Sequence, residues 1–413
     1  MKRYKDIGQT MRILLSLFKG ELEKVFFGLI GLICLLGLPI SCTDDAESDA
    51  EWVKVELTPY YNIYSKAEEM KTRGDDDPVP VFTYSHTWYD SEHTHQFYKY
   101  SDLYPHSSME NPTIHTWFVM AENEKIHQGT FTYTGTNEGV DNWESHATTI
   151  NGKDYYVYGF MPENAVTSSD ISKLPSETYE NGAQLTLRGI AAVTNKDICV
   201  IVGVGTTLED IQNTAAPNPE WGRFGRFDYL GRAKGNNKIY LLLDHLYTNI
   251  NLEYQVIDKY AALRTIKLKS VTMETTNAAT VDMTIPINKV VGKTFEPPVG
   301  TITTTKNGSN CTVEVFSNTD GEEIPSVGSG NKLSVPSYFT PAISGTFTIT
   351  STYDVYDKKN NPVRKNQSAV NKIRLTQTME KGVSYKVEFT VEPTYLYQLS
   401  EPDPDNPTIK LKE

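Results

Sequence analysis

The most distinctive chemical group in this sequence is the thiol of a cysteine near the N-terminus. Six Lys or Arg residues precede an apolar, uncharged run at residues 25–40, which is followed by the small residue Ser41 and then by Cys42. A basic region before a short apolar run and a small residue is typical of a cleaved export signal. At about 16 residues the run is shorter than the roughly 20 that a membrane-spanning helix needs. The N-terminus is therefore predicted to direct export.

Residues 38–42 (Leu-Pro-Ile-Ser-Cys) resemble the lipobox of bacterial lipoproteins. The resemblance implies that a signal peptidase cuts between Ser41 and Cys42, removes residues 1–41 and leaves Cys42 to carry acyl chains. Each buried CH₂ of such a chain contributes about 0.8 kcal/mol, so several chains would hold the protein on a membrane. The acidic residues 43–49 resemble the surface-export signals of Bacteroidetes lipoproteins, or serve as a solvated linker. An ordinary buried cysteine in an uncleaved anchor is the alternative interpretation of Cys42.

Other reactive groups do not form a recognisable catalytic or metal-binding pattern. The sequence has no Gly-x-Ser-x-Gly, His-Glu-x-x-His or Cys-x-x-Cys motif, so we predict a protein that is not an enzyme and has no cofactor. His93 and His95 would share one face of a strand, but no Cys or nearby carboxylate completes a metal shell, so no metal site is predicted. Cys199 and Cys311 lie inside apolar strands and are predicted to be buried free thiols.

Charge and length restrict the remaining classes of function. The 413 residues contain 39 Lys plus Arg against 52 Asp plus Glu, a formal net charge of −13. No basic run follows the export segment, which argues against nucleic acid as a partner. The length suggests two or three domains rather than one.

Alternation of apolar and polar residues is the dominant pattern after the export segment, and it predicts β-strands. Pairs such as Asn307-Gly308 and Asp320-Gly321 supply turns between them. No stretch keeps a helical stripe. The alternating segments are residues 53–57, 250–256, 311–315, 347–355 and 385–391.

An all-β chain of this length with short, regularly spaced strands is expected to form sandwiches or barrels. A polar stretch at residues 235–237 precedes the apolar segment 239–243, and we place a domain boundary there. The predicted domains are 74–236 and 237–413, each long enough for its own core.

Several segments, in their order behind the lipobox, resemble the fimbrillin-type pilins of Bacteroidetes. These segments are residues 155–162, 244–247, 263–268, 346–356 and 393–403. The resemblance implies an all-β fold of two β-sandwich domains, transthyretin-like and Greek-key, behind the lipoprotein signal peptide. It also implies a structural fimbrial subunit that supports adhesion, with other copies or related subunits bound head-to-tail. The precursor would be an outer-membrane lipoprotein at the cell surface, and the mature form would lie in the fimbria.

A single arginine in a polar stretch is the candidate processing site. Arg73 and Gly74 follow the predicted first strand and precede three aspartates, in a segment expected to be exposed. In the resembled family a trypsin-like, Arg-specific protease cuts after such an arginine, which makes residues 42–73 a tether and propeptide here. Lys71 is an alternative cleavage site. The alternative interpretation of Arg73 is an ordinary arginine in a surface loop that no protease cuts.

The C-terminal tail, about residues 392–413, supplies the candidate donor strand. Two strand-like pieces flank a proline-rich acidic connector, and their apolar faces carry Tyr395, Tyr397 and Leu399, and Ile409 and Leu411. Such a strand could enter a groove of a neighbouring subunit. Alternatively, both pieces pair within their own domain.

A different class of function is also open from the sequence. Aromatic residues around Trp88 have polar neighbours, a composition that suits stacking against sugars. The chain would then be a monomeric, glycan-binding surface lipoprotein, with a host glycan or protein as its partner.

Overall fold

Strands account for nearly all the regular structure of this chain, as the alternating patterns predict. The computed structural model describes residues 52–61, 65–71, 100, 111–138, 140–205, 232–234, 238–289, 299–343, 346–374 and 379–391. Within those ranges it contains twenty-three β-strands, the four-residue helix α1 (Asp258–Ala261) and two short 3-10 turns. None of the helices in those ranges is long and apolar enough to cross a membrane. The all-β prediction is confirmed.

The strands are numbered in chain order. They are β1 (Trp52–Lys54), β2 (Glu56–Tyr61), β3 (Ser65–Lys71), β4 (Thr113–Met120), β5 (Ile126–Asn137), β6 (Val140–Ser145), β7 (Thr148–Ile150), β8 (Asp154–Met161), β9 (Ser168–Lys173), β10 (Gly182–Ala191), β11 (Val193–Thr194), β12 (Cys199–Gly205), β13 (Arg232–Lys234), β14 (Lys238–His245), β15 (Thr248–Val256), β16 (Arg264–Thr276), β17 (Thr280–Asn288), β18 (Thr303–Asn307), β19 (Asn310–Glu323), β20 (Leu333–Phe339), β21 (Thr346–Asp357), β22 (Pro362–Arg374) and β23 (Val383–Val391).

These strands form five sheets. Sheet I has the order β2-β14-β12-β8-β4-β5-β6, with β13 paired to β8. Sheet II has the order β11-β20-β15-β23-β3, and sheet III the order β19-β16-β21-β22. Sheet IV has the order β18-β17-β10-β9, and sheet V consists of β1 and β7. Most pairs are antiparallel, but β2 with β14, β15 with β23, and β23 with β3 are parallel.

The hydrogen bonding of the sheets does not follow the predicted boundary at residue 236. In sheet IV, β10 pairs with β17, and in sheet II, β11 pairs with β20. In sheet I, β12 pairs with β14. The described residues from Trp52 onwards belong to one compact unit. Strands from both sides of residue 236 thus share three sheets, and the division into two β-sandwich domains stays a prediction.

The central strands of sheet I are buried on both faces, and this explains their uninterrupted apolar runs. All seven residues of β12 are buried, and so are seven of the eight in β8. In β15, by contrast, buried residues alternate with half-buried ones. A strand that is buried on both faces has apolar residues at successive positions, so its sequence does not alternate.

Sheets II and III pack face to face through aromatic side chains. Within sheet II, Tyr254 of β15 stacks on Phe389 of β23 with ring centroids 4.8 Å apart, and across the interface it meets Tyr353 of β21 edge-on. Its hydroxyl lies 2.9 Å from Ser351 Oγ, so the buried phenol has a polar partner. These contacts fix the two sheets against each other in the core.

Removal of a core side chain from β15 should destabilise the protein strongly. Leu252 is 0% exposed between β20 and β23, so Leu252→Ala is expected to lower the free energy of unfolding by about 2–5 kcal/mol. Urea unfolding followed by circular dichroism measures the change. The control is Val370→Ala on β22, where the side chain is 53% exposed and the change should stay within about 0.5 kcal/mol. Equal effects of the two substitutions would contradict this packing.

Candidate functional site

The first three strands, at residues 52–71, form a continuous segment that ends just before Arg73; we call this segment the leader. β1 pairs with β7, β2 with β14, and β3 with β23. About twenty consecutive residues thus supply strands to three different sheets. Each residue of an extended strand advances the chain by about 3.3 Å. The leader is the candidate functional site because its loss would change all three sheets together.

The longest contact of the leader is the parallel pairing of β2 with β14. Six residue pairs run in register from Glu56 with Lys238 to Tyr61 with Leu243. β2 is the terminal strand of sheet I, and β14 has β12 on its other side. Without β2, the outer backbone groups of β14 would have no strand to bond.

The second parallel contact joins β3 to β23 at the edge of sheet II. The pairs run from Ser65 with Val383 to Lys71 with Glu388, with one register shift after Ser384. In both contacts the partner strand lies more than a hundred residues away in the chain. Since no hairpin links the leader to its partners, a cut after Arg73 would leave it held only by non-covalent contacts.

Apolar side chains of the leader add to the backbone pairing. Val55 is 1% exposed and Leu57 is 8% exposed, and at about 1.5–3 kcal/mol each the two contribute roughly 3–6 kcal/mol. The Val55 N–H donates a hydrogen bond of 2.9 Å to the Ala147 carbonyl oxygen. Trp52 is half exposed and meets His127 edge-on at 5.1 Å. The leader is therefore attached by burial as well as by main-chain bonds.

The predicted first strand, with its alternating segment at residues 53–57, is divided between two strands. β1 ends at Lys54 and β2 begins at Glu56, because the N–H of the intervening Val55 bonds to Ala147 rather than to a partner in β14. The alternation of Val53, Val55 and Leu57 is continuous, so the sequence could not reveal that its backbone changes partner.

The predicted processing and lipidation residues lie outside the described residues. This applies to Ser41, Cys42, Arg73 and Gly74, to the tail residues Tyr395, Tyr397, Leu399, Ile409 and Leu411, and to His93, His95 and Trp88. Lys71, the alternative cut, is the last residue of β3 and pairs with Glu388. A protease needs an extended, accessible chain, and the pairing of Lys71 with β23 argues against a cut at that residue while the strand is in place.

The segment Asp244-His245-Leu246-Tyr247, one of those that carry the family resemblance, connects β14 to β15 and so joins sheets I and II. Lys381 Nζ donates to Asp244 Oδ2 at 3.0 Å, and the Tyr247 hydroxyl donates to the Ala191 carbonyl oxygen at 2.9 Å. Leu246 is buried in the core. Each polar side chain of this connection has a partner from another element, which fixes the end of the strand that the leader covers.

A buried polar cluster at the same place was missed by the sequence analysis. His245 Nδ1 lies 2.8 Å from Asp197 Oδ2 and 3.4 Å from Cys199 Sγ. Burial, with Asp197 and Cys199 nearby, raises the pKa of the Tyr338 phenol well above its usual value. Cys199 and His245 are 46 positions apart and become neighbours only because β12 pairs with β14. No motif spacing could have shown this.

The cluster does not have the geometry of a nucleophile relay. In a relay the nucleophile and the orienting carboxylate contact different nitrogens of the imidazole ring. Here both Cys199 and Asp197 approach Nδ1. Cys199 and Cys311 are both buried and form no disulfide, as predicted. The Cys311 Sγ donates to the Val193 carbonyl oxygen at 3.7 Å.

Comparisons with known proteins place fimbrial and adhesion proteins of Bacteroidetes among the structural neighbours of this chain. No protein-family model matches the sequence, and neither does a curated protein. A solved structure from Bacteroides fragilis, provisionally assigned to cell adhesion, is 10% identical, covers 83% of this chain and 94% of its own, and has a TM-score of 0.38.

Two further neighbours carry fimbrial names. A fimbrial protein from Bacteroides vulgatus is 11% identical, covers 69% of this chain and 90% of its own, and has a TM-score of 0.27. The fimbrial anchor protein Mfa2 from Porphyromonas gingivalis is 9% identical, covers 75% and 81%, and has a TM-score of 0.22. Similarity at this level carries no functional assignment, which has to come from the residues of this chain.

Weakening the side-chain anchor of the leader should open the edge of β14. Leu57→Ala is expected to speed hydrogen exchange of the amides in residues 238–243, because the leader detaches more often. The matched control is Glu56→Ala, which changes an exposed residue beside Leu57 on the same strand. Mass spectrometry of deuterated peptides measures both. Identical protection in the two variants would mean that Leu57 does not hold the leader.

Proposed function

We propose that this chain is the lipoprotein precursor of a fimbrial subunit that polymerises by strand exchange. It is exported, acylated at Cys42 and carried to the cell surface. An Arg-specific protease then cuts between Arg73 and Gly74 and releases the leader. The trimmed subunit binds other copies or related subunits head-to-tail, and the resulting fimbria supports adhesion.

The observation that carries this proposal is the position of β2 at the edge of sheet I. The leader precedes Arg73 in the chain and yet supplies the outermost strand of an eight-stranded sheet. Cleavage at that arginine would therefore separate a complete edge strand from the rest of the molecule. A loop arginine outside any such arrangement would release nothing when cut.

Loss of the leader creates a binding site for another strand. The outer N–H and C=O groups of β14 would be left without partners, and unpaired groups at a sheet edge are a template for strand addition. The space left by Val55 and Leu57 would expose apolar surface beside that edge. An extended segment with alternating apolar side chains supplies both the missing hydrogen bonds and the missing burial.

The C-terminal tail is the donor in this proposal. β23 ends at Val391, so the candidate donor residues begin directly after the last described strand. Tyr395, Tyr397 and Leu399 lie at every second position, so an extended strand would present all three on the face that inserts into a groove. Donor and acceptor are different surfaces, so the contact is head-to-tail and extends into an open filament.

Cleavage at Arg73 should be the step that permits assembly. Arg73→Ala is expected to stay monomeric after incubation of the full chain with an Arg-specific protease, whereas wild type forms filaments. Electron microscopy and N-terminal sequencing measure assembly and the cut. The matched control is Lys71→Ala, which removes the other nearby basic residue and should assemble like wild type. Filaments of Arg73→Ala as abundant as those of wild type would exclude cleavage there as the trigger.

Removal of the tail should abolish polymerisation without affecting cleavage. A chain that ends at Val391 is expected to be cut after Arg73 but to remain monomeric, because it has no strand to donate. A chain that ends at Ser400 keeps Tyr395, Tyr397 and Leu399 and tests whether Ile409 and Leu411 are needed. Size-exclusion chromatography with light scattering separates the cases. Unimpaired filaments from the shorter chain would exclude the tail as donor.

A further inference from the structure

Three buried side chains with metal-binding atoms meet where sheets I and II join. Asp197, Cys199 and His245 are each 0% exposed, and one ligand atom from each lies within 4.8 Å of the other two. Asp197 comes from the connection between β11 and β12, Cys199 begins β12, and His245 ends β14. Carboxylate oxygen, thiolate sulfur and imidazole nitrogen are the three ligand types that zinc uses in proteins.

The arrangement of these atoms converges on one point. Asp197 Oδ2 is 2.8 Å and Cys199 Sγ 3.4 Å from the same atom, His245 Nδ1. A ring nitrogen carries either one proton or one lone pair. A single proton on Nδ1 would therefore have to be shared between hydrogen bonds to Asp197 and Cys199. A cation in place of that proton would be coordinated by all three atoms at once.

Two of the three distances between ligand atoms are close to those around a tetrahedral ion, and the third, between Asp197 and Cys199, lies within 4.8 Å and would have to be about 3.7 Å or less. Bonds of about 2.0–2.3 Å at tetrahedral angles separate neighbouring ligand atoms by about 3.3–3.7 Å. The sulfur-to-nitrogen distance already lies in that range, and the oxygen-to-nitrogen distance would have to widen by roughly half an ångström.

Charge balance favours a divalent ion in this position. A thiolate and a carboxylate together carry two negative charges, and uncompensated charge in a buried site is costly. A divalent cation with a neutral imidazole makes the site neutral. Monovalent and trivalent ions would leave a net buried charge.

We propose that Asp197, Cys199 and His245 bind one divalent transition-metal ion, with Zn²⁺ the best match. The ion would tie the end of β14 to the chain segment before β12 and stabilise the strand whose opposite edge receives the leader. Because all three ligands are fully buried, the ion is taken up as the chain folds. This site is independent of the fimbrial proposal, since neither the leader nor the tail contributes a ligand.

The test is the metal content of the purified full-length chain, with the second buried cysteine as a matched control. The chain is refolded with Zn²⁺, dialysed against metal-free buffer and analysed by inductively coupled plasma mass spectrometry. Wild type and Cys311→Ser should retain stoichiometric zinc, and Cys199→Ser should lose most of it. Refolding with Co²⁺ should give a thiolate-to-cobalt charge-transfer band in the first two proteins that is missing from Cys199→Ser.

Wild-type protein that retains no zinc and shows no cobalt band would overturn the proposal, whatever the variants do. Zinc retained equally by Cys199→Ser would also overturn it, because the ion would then be bound elsewhere. Should Cys199→Ser fail to fold by circular dichroism, Asp197→Asn keeps the shape of the side chain and removes one charge, and it should weaken zinc retention at least tenfold. Filament assembly is read separately, so failure of either proposal can be distinguished from failure of the other.

Discussion

The structure depends on main-chain hydrogen bonding at the edges of two sheets. β14 and β23 are both completed by strands of the leader, and both pairings are parallel. A parallel partner cannot be supplied by a hairpin, so the covering strand has to come from a distant part of the chain. In the proposed assembly, the same pairing completes the edge before cleavage and leaves it open to strand exchange afterwards.

The connection between β14 and β15 links the two edges that the leader covers. Its residues are tied to other elements by the Asp244 to Lys381 ion pair, by the Tyr247 hydroxyl and by the contact of His245 with Asp197. Thr248 donates to the Glu380 carbonyl oxygen at 2.7 Å, directly before β23. These bonds place the starts of β15 and β23 beside the end of β14. The two edges that the leader covers are therefore held by one set of buried polar contacts.

Local pattern was a good guide to individual strands and a poor one to their partners. Alternation predicted β15, β21 and β23, since each has one face in the core and one face outside it. The boundary at residue 236 came from a polar Gly/Asn stretch, and it does not separate the sheets because β14, which follows it, pairs with β12, which precedes it. Turn-forming residues predict where a strand ends, but they do not predict which strand the next one will pair with. For the same reason, the alternating pattern could not show that the backbone changes its pairing partner at Val55.

The sequence by itself determined the all-β class, the positions of several strands, the burial of Cys199 and Cys311, and the expectation of an exported lipoprotein with a processing site and a donor tail. Those features are local, because a period of two, a turn dipeptide or a lipobox is complete within a few residues. Only the tertiary structure decided that the leader closes the edges of β14 and β23, and that Asp197 and Cys199 meet His245 on one nitrogen atom. These relations join residues far apart in the chain, where the energy of pairing and burial depends on three-dimensional neighbours that no local pattern records.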